Sequence, residues 1–392
     1  MKRQLLTAIL LLVGLSTMAL AATNPNRVTI KGKNYYLNGI NVAWDKWDGD
    51  LTQYDSTKFE SMFTELESIG ANSIRWWWFI DGLGQLTFSG NNVQPLDQAI
   101  FTNLDQAFRQ AARHHILIMP SLLSFDIKNS GKTSLVTDTV ATNAFINNVV
   151  KPLVLRYEDS PAMGIWEIMN EGEWLLTTEG GTVAMADFQR FHGKVAAAIH
   201  ATKPNALVTT GSGMYKYMIT GGNKFSDAAL KAAAGNDPLA KFDVYQTHYY
   251  SWMHGTGWTY EPWAKTSTEW LPEGKPILIG EFPILGEVGR WTGMDMHVKS
   301  VDKGYAGSFG WAYFDNRADK VGYWVDAKPC MQAISTLIPA AMIGETTTPI
   351  LNSIKPLRAS GSPATVFFSN GQLLVKSTSG KSMNLQGNLA QP

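Results

Sequence analysis

The chain has 392 residues, with 33 lysines and arginines against 33 aspartates and glutamates, so its formal net charge is zero. A neutral chain gives no electrostatic reason to bind nucleic acid or an anionic membrane, and we expect neither as a partner. Apolar residues make up 45% of the sequence, which is ample for the core of one large domain.

The N-terminus has the pattern of a signal peptide. Residues 2–3 are basic, residues 5–15 form an apolar run, and residues 19–21 read Ala-Leu-Ala, a small-x-small cleavage pattern. A single membrane anchor is the alternative, but the apolar run is short for a bilayer span. We therefore expect residues 1–21 to be removed and the protein to be secreted, either extracellular or periplasmic, with no membrane association afterwards.

Eight short apolar runs alternate with amphipathic segments along the rest of the chain. The runs cover residues 35–42, 73–78, 116–122, 164–169, 206–210, 244–248, 277–279 and 308–314. Eight strand-then-helix units predict an α/β fold in which a parallel sheet closes into a TIM (β/α)8 barrel. An open doubly wound sheet is the competing topology, and the lack of a glycine-rich phosphate loop after the first strand argues against it.

The first amphipathic segment shows how the helices are predicted. Its apolar residues at helical spacing are Phe59, Met62, Phe63, Leu66 and Ile69. We expect Ser56 or Thr57 as the N-cap and Gly70 as the stop.

Cys330 is the only cysteine, so no intramolecular disulfide is possible. An exported protein without disulfides must depend on its hydrophobic core, which suits one large domain. We interpret Cys330, which lies in an apolar-periodic segment, as a buried packing residue.

The character of the sequence changes after residue 345. Residues 346–349 read Thr-Thr-Thr-Pro, which is typical of a linker. Two apolar runs, 366–368 and 373–375, flank Asn370-Gly371, and this pattern predicts a β-hairpin with a tight turn. We expect a barrel domain over residues 22–343, followed over residues 344–392 by a linker and a short hairpin tail whose role the sequence leaves open.

Two of the predicted strands end in a carboxylate, which is unusual for an apolar strand. The fourth run leads into Asn170-Glu171 and the seventh into Glu281. The C-terminal strand ends of a barrel share one mouth, where barrel enzymes place their chemistry. Two carboxylates there suit glycosidic bond cleavage, because one can protonate the leaving oxygen while the other attacks the anomeric carbon. One such Glu alone could equally be a salt-bridge or capping residue; the pair favours catalysis.

Three polar residues at other strand ends are candidates to support these carboxylates. Arg75 lies in the second strand, where a buried guanidinium needs a charged partner and lowers the pKa of a carboxylate beside it. An Arg that bridges outer helices is the alternative. His248 and Tyr250 are spaced i, i+2 at the end of the sixth strand and therefore share a face. We expect Tyr250 to hydrogen-bond the nucleophile and His248 to orient the acid/base.

The sequence contains 14 tryptophans, many of them near predicted strand ends. Aromatic residues usually belong to the core, but the polar segment from Trp44 to Asp48 is more typical of a sugar-binding surface. We expect Trp311, Trp44 and Trp252 to bind sugar rings. As a group, the tryptophans near predicted strand ends are also expected to form sugar-binding surfaces; they are Trp44, Trp47, Trp76 to Trp78, Trp174, Trp252 and Trp311. No metal-ligand pattern stands out, and we expect neither a metal nor a cofactor.

The strings at residues 166–171 (Trp-Glu-Ile-Met-Asn-Glu) and 280–282 (Gly-Glu-Phe) resemble glycoside hydrolase family 5 of clan A, over roughly residues 28–340. The positions that match the family's catalytic-site pattern are Arg75, Asn170, Glu171, His248, Tyr250, Glu281 and Trp311. The resemblance implies retention of configuration, with Glu171 as acid/base and Glu281 as nucleophile. It also implies that Asn170 binds the sugar 2-hydroxyl and that Arg75 and Tyr250 hold Glu281 ionised.

Two positions depart from the family pattern. Gly172 follows Glu171 where a proline is usual, and the third strand ends without the histidine that many members carry. The first strand and the Trp-rich second strand look similar to the mannanase branch, although cellulases share much of this. We therefore expect a monomeric retaining endo-hydrolase of β-1,4-linked plant cell-wall polysaccharide, with mannan narrowly preferred over glucan. The alternatives are an endo-β-1,4-glucanase, a transglycosylase and a non-catalytic carbohydrate-binding barrel.

Overall fold

A computed structural model of the chain describes residues 26–218, 222–250, 261–271, 274–284, 286, 291–314 and 324–337, and three strands beyond residue 364. The predicted signal peptide and linker lie outside the described residues. Among the helices that are described, none combines the length and the apolar character that a membrane crossing needs.

Eight parallel strands form the central sheet. They are β1 (Leu37–Ala43), β2 (Ser73–Phe79), β3 (Leu117–Ser124), β4 (Trp166–Asn170), β5 (Val208–Gly211), β6 (Tyr245–His248), β7 (Ile277–Pro283) and β8 (Gly307–Trp311). The sheet order is β6-β7-β8-β1-β2-β3-β4-β5. A parallel bridge between Ser212 and Thr247 brings the end of β5 against β6, so that the sheet nearly closes. The predicted barrel and all eight of its strands are confirmed.

Helices surround the barrel and cover its outer face. They are α1 (Ser56–Ser68), α2 (Gln98–Arg113), α3 (Ser134–Thr137), α4 (Thr139–Phe145), α5 (Lys151–Tyr157), α6 (Met185–Thr202), α7 (Asp227–Ala233), α8 (Ser267–Trp270), α9 (Gly293–Asp302) and α10 (Trp324–Leu337). Two small hairpins pair Val28–Ile30 with Lys33–Tyr35 and Phe88–Ser89 with Asn92–Val93. Cys330 lies in α10 and is buried, as the sequence indicated.

The Trp-rich strand β2 divides its side chains between two environments. Trp76 and Trp78 are fully buried in the main core, where Trp76 packs against Phe59 of α1 with ring centroids 4.8 Å apart. Arg75 and Trp77 alternate with them and therefore belong to the opposite face of the strand. The interpretation of Trp76 and Trp78 as sugar-binding residues is wrong, because the outward face of a barrel strand is covered by helices.

Helix α1 is capped by a residue that the sequence pattern did not single out. The Asp55 carboxylate accepts hydrogen bonds from the backbone N–H groups of Thr57 (3.1 Å) and Lys58 (3.0 Å). Ser56 and Thr57, the expected caps, lie inside the first turn instead. Asp55, one residue earlier, is the cap because its carboxylate reaches the unpaired N–H groups and carries a negative charge that is favourable at a helix N-terminus. Gly70 follows the helix with a left-handed backbone conformation (φ +74°), as expected of a glycine that stops a helix.

The tail beyond residue 364 contains a small antiparallel sheet. Thr365–Ser369 pairs with Gln372–Lys376, which pairs in turn with Ser382–Asn384. The first two strands coincide with the hairpin pattern, and the third strand was not expected. The domain boundaries at residues 21 and 343 stay predictions.

Replacing the α1 cap tests this correction. We expect Asp55→Ala to lower the free energy of unfolding by about 1 kcal/mol, because two N–H groups lose their acceptor. Asp55→Asn should be nearly neutral, since asparagine caps about as well. Urea unfolding followed by circular dichroism measures both. A larger loss for Ser56→Ala than for Asp55→Ala would contradict the assignment.

Candidate active site

Arg75 is the centre of a buried polar network inside the barrel mouth. Its side chain is fully buried and makes two parallel hydrogen bonds to Glu167, from Nε to Oε2 and from Nη2 to Oε1, both 2.6 Å long. Its remaining N–H groups reach Asn41 Oδ1 (2.8 Å), Asn170 Oδ1 (2.7 Å) and Glu281 Oε1 (2.7 Å). One guanidinium therefore joins strands β1, β2, β4 and β7. Its expected carboxylate partner is present, together with a second one.

Glu167 is a member of this network that sequence reasoning missed. It is fully buried and also accepts hydrogen bonds from Ser121 Oγ (2.7 Å) and Gln246 Nε2 (2.7 Å). Burial acts to raise its pKa, but the charge and hydrogen bonds of Arg75 outweigh burial and hold the pKa below its ordinary value. A charged residue in the middle of the apolar strand Trp166–Asn170 was the available signal.

Two asparagines orient the network from either side. Asn41 donates from Nδ2 to the backbone oxygens of Gly280 (2.8 Å) and Phe309 (3.1 Å), so it ties β1 to β7 and β8. This residue was also missed, because a single Asn in an apolar strand has no distinctive pattern. Asn170 accepts from Arg75 through Oδ1, which turns its Nδ2 toward Ser124 Oγ at 3.4 Å.

Glu281 ends at the mouth with both carboxylate oxygens bound. Oε1 accepts from Arg75, and Oε2 accepts from the Tyr250 hydroxyl at 2.9 Å. Burial raises the pKa of Glu281 above its ordinary value, while the Arg75 charge and the Tyr250 hydrogen bond act to lower it. The lowering effect expected of Arg75 is therefore present, but burial exceeds it.

Glu171 has a different environment from Glu281. Its Oε1 lies 2.9 Å from His248 Nδ1, and its Oε2 accepts from Trp174 Nε1 at 3.0 Å. Burial raises the pKa of Glu171 to about 7, against the lowering effects of the Trp174 hydrogen bond and of Arg75. Burial also lowers the pKa of His248 to about 4, so this imidazole is uncharged at neutral pH.

The backbone at Glu171 makes a sharp turn that directs its side chain into the mouth. Glu171 has a left-handed conformation (φ 43°, ψ 40°), uncommon for a residue with a side chain, and its N–H donates to Gly211 O at 2.6 Å. Gly172 follows directly, and a Cβ there would lie 2.7 Å from Met169 and from the Phe188 ring. A side chain at this position, such as the family's usual proline, would therefore require Met169 and Phe188 to shift.

A further buried carboxyl lies behind Glu171. Glu173 is hydrogen-bonded with the Ser212 hydroxyl, and the Gly213 N–H lies 3.4 Å from its Oε2. Burial, together with the nearby charge of Glu171, raises the pKa of Glu173 to about 8. Through these bonds Glu173 holds Ser212 and Gly213, which directly follow β5. Gly213 lies close against the active-site carboxyl, since a Cβ on it would be only 3.1 Å from Glu171.

The two strand-end carboxylates face each other across a short gap. One oxygen of Glu171, one oxygen of Glu281 and a ring nitrogen of His248 all lie within 4.8 Å of one another. Such a pair can work on opposite sides of one bond: a protonated carboxyl of raised pKa beside a carboxylate held by a guanidinium and a phenol.

Tryptophans form one wall of the same mouth. Trp77, Trp311 and Tyr250 belong to one buried cluster, against which Trp44 and Trp174 pack. The ring centroid of Trp311 lies 5.2 Å from that of Trp77 and 5.9 Å from that of Trp44. Trp77 and Trp174 were part of the wider tryptophan group but were not chosen as site residues.

The structure thus brings most of the predicted site residues to one place. Those that meet at the mouth are Arg75, Asn170, Glu171, His248, Tyr250, Glu281, Trp311 and Trp44. Trp252 lies outside the described residues. The third strand carries Ser124 near the position where a histidine is usual, and Ser124 contacts Asn170 and Asp126 instead.

Comparison with known proteins gives a family and a set of relatives. The family model described as cellulase (glycosyl hydrolase family 5) matches residues 28–325. A mannan endo-1,4-beta-mannosidase of Mytilus edulis is 28% identical over 330 residues, which cover 76% of this chain and 88% of the relative. An enzyme with the same name from Cryptopygus antarcticus is 23% identical, over 72% of this chain and 81% of its own.

Solved structures agree on the fold. The beta-mannanase of Mytilus edulis superposes with a TM-score of 0.69 at 24% identity, over 80% of this chain and 96% of its own. The beta-1,4-mannanase of the sea hare Aplysia kurodai gives a TM-score of 0.69 at 25% identity, over 81% and 97%. The family model spans well over half of the chain, and its residues include both strand-end glutamates. The chain belongs to glycosyl hydrolase family 5.

Proposed function

We propose that this chain is a secreted, retaining endo-β-1,4-mannanase in which Glu171 is the acid/base and Glu281 is the nucleophile. The observation that carries the proposal is that one oxygen of the Glu171 carboxyl lies within 4.8 Å of one oxygen of the Glu281 carboxyl, while the two groups have unlike surroundings. Retaining glycosidases have carboxyl groups about 5–5.5 Å apart, whereas inverting ones need about 6.5–9.5 Å to admit a water. The short gap therefore favours retention.

The first step forms a bond between the enzyme and the sugar. The Glu281 carboxylate attacks the anomeric carbon while protonated Glu171 gives its proton to the glycosidic oxygen, so the leaving sugar departs as a neutral alcohol. Arg75 and Tyr250 keep the attacking oxygens of Glu281 in place. The raised pKa of Glu171 suits the donor role, because much of this carboxyl is protonated near neutral pH.

The second step releases the sugar. The Glu171 carboxylate now takes a proton from a water molecule, whose oxygen attacks the anomeric carbon and frees Glu281. Uncharged His248 lies against Glu171 without adding a positive charge that would favour its ionised form. Asn170, with its Oδ1 occupied by Arg75, can offer Nδ2 to the sugar 2-hydroxyl.

Mannan is the substrate that the relatives favour. The relatives named above are called mannan endo-1,4-beta-mannosidases, and the first of them is covered over 88% of its length. This supports the narrow preference for mannan over glucan. Secretion and a monomeric state complete the proposal and rest on the sequence alone.

A panel of polysaccharides tests the function. We expect release of new reducing ends from β-1,4-mannan at a higher kcat/KM than from cellulose or xylan. Glu171→Ala and Glu281→Ala should each lower kcat by about 10²–10⁴-fold or more, since each removes a group that acts in the transition state. Circular dichroism and denaturant unfolding serve as the check that each variant is folded.

Particular results would contradict the proposal. A folded Glu281→Ala enzyme that stays active without an added nucleophile would exclude Glu281 as nucleophile. A wild-type protein that binds mannan and releases no reducing ends would instead be a carbohydrate-binding barrel. Faster cleavage of cellulose than of mannan would make it an endo-glucanase.

The pH dependence follows from the state of Glu171. The donor must be protonated, so kcat/KM should fall as the pH rises through about 7, the pKa to which burial raises Glu171. The Trp174 hydrogen bond stabilises the ionised form and lowers this pKa. We therefore expect Trp174→Phe to shift the basic limb of the kcat/KM profile to higher pH. A shift to lower pH would show that Trp174 does not act through this bond.

The ion pair between Arg75 and Glu167 predicts a change in stability. Glu167→Gln keeps the shape of the side chain but leaves the buried guanidinium with one carboxylate fewer. We expect the free energy of unfolding to fall by about 3–5 kcal/mol. Ser121→Ala, which removes a single neutral donor to the same carboxylate, should cost about 1 kcal/mol. Equal losses for the two variants in urea unfolding would argue against a dominant ion pair.

A further inference from the structure

Trp47 is a large apolar side chain that the described structure leaves exposed. Its exposed fraction is 47%, although it lies three residues after half-buried Trp44 in the loop that follows β1. The indole Nε1–H donates to Asp81 Oδ2 at 3.2 Å, so the ring is oriented by the loop that follows β2. An exposed indole with a fixed orientation is unusual as packing, because nearly half of the residue stays open to solvent.

Trp47 continues the tryptophan wall of the active site. Its ring centroid lies 4.8 Å from that of Trp44, and Trp44 lies 5.9 Å from Trp311. Trp311, Trp44 and Trp47 thus form a row of three indoles, which starts at Trp311 in the cluster with Tyr250 and ends at exposed Trp47. The row is continuous with the site in which the proposed cleavage takes place.

The loop that carries Trp47 is held from below by buried acids. Asp50 accepts from the backbone N–H groups of Asp45 (3.0 Å) and Lys46 (2.6 Å) and from Trp76 Nε1 (2.9 Å). Asp48 accepts from the Gly84 N–H and lies 3.4 Å from Gln85 Nε2. A ring on such a loop is ordered before a ligand arrives, which reduces the entropy lost on binding.

The position of the row in the barrel indicates which part of a substrate it meets. Trp311 ends β8, whereas Glu171 follows β4, which is four strands away in an eight-stranded barrel and therefore across the mouth. The proton donor acts on the leaving sugar, so the leaving part of the chain lies on the Glu171 side. The row of indoles lies on the other side, with the part that becomes bound to Glu281.

We propose that Trp47, oriented by Asp81, forms a distal subsite that stacks on a third sugar of a β-1,4-mannan chain on the non-reducing side of the cleaved bond. This inference rests on the proposed function and adds a subsite to it. An indole face supplies apolar contact to the C–H face of a pyranose, and the Asp81 carboxylate at the ring edge can accept from a sugar hydroxyl.

The test compares two substrates that differ in their reach toward the rim. Mannohexaose can extend over all three indoles, whereas an aryl β-mannobioside places only two sugars on the non-reducing side. We expect Trp47→Ala to lower kcat/KM on mannohexaose by about five- to tenfold and to change it less than twofold on the aryl mannobioside. Trp47→Phe should recover most of the loss, because it keeps an aromatic face.

Two further measurements separate a subsite from a general effect. Products of mannohexaose cleavage should shift, with fewer cuts that leave three or more sugars on the non-reducing side. Leu155→Ala removes another exposed apolar side chain, 61% exposed on helix α5, and should change neither substrate. Thermal unfolding confirms that the variants are folded.

The outcomes distinguish this inference from the function on which it rests. If the wild type is active and Trp47→Ala loses activity equally on both substrates, or on neither, the subsite is overturned and the mannanase function stays intact. A wild type without activity on mannan or mannohexaose overturns both. A loss confined to mannohexaose that phenylalanine restores supports the subsite.

Discussion

The buried guanidinium of Arg75 is the interaction on which the site depends. A charge inside a barrel is costly unless it is paired and its donors are satisfied. Here Glu167 takes two of its hydrogen bonds, and Asn41, Asn170 and Glu281 take the others. The requirement to satisfy one cation therefore fixes the positions of side chains from four strands. It also orients the Glu281 carboxylate and the Asn170 amide at the barrel mouth.

The same network gives two glutamates on one mouth different properties. Glu281 has a guanidinium and a phenol as partners, which stabilise its charge against the effect of burial. Glu171 has an indole N–H and an uncharged imidazole as neighbours, and burial raises its pKa to about 7. The roles of proton donor and nucleophile that we propose for Glu171 and Glu281 need this asymmetry. It arises from which partners the fold brings to each carboxyl, since the two side chains are chemically identical.

Strand β2 also shows how a barrel divides its aromatic side chains between the core and the mouth. On β2, alternate tryptophans point in opposite directions, so Trp76 and Trp78 belong to the core while Trp77 faces the site. Composition alone placed all of them in one group. The period of two in a strand decides between them once the strand's two faces are known. On the loop that follows β1, Trp44 is half-buried against Trp311 and Trp47 is exposed, a difference that only the path of the loop decides.

The sequence by itself determined the eight β-α units and the two carboxylates at strand ends, because periodicity and strand-end position are local properties of the chain. It also indicated Arg75, His248 and Tyr250, whose side-chain types at strand ends have few structural uses. Only the tertiary structure showed which residues are partners, such as Glu167 for Arg75 and the Gly280 carbonyl for Asn41. It also showed the close packing around Gly172 and the helix cap at Asp55. Pairing depends on distances between residues far apart in sequence, and a pKa depends on burial and neighbours, neither of which a linear pattern contains.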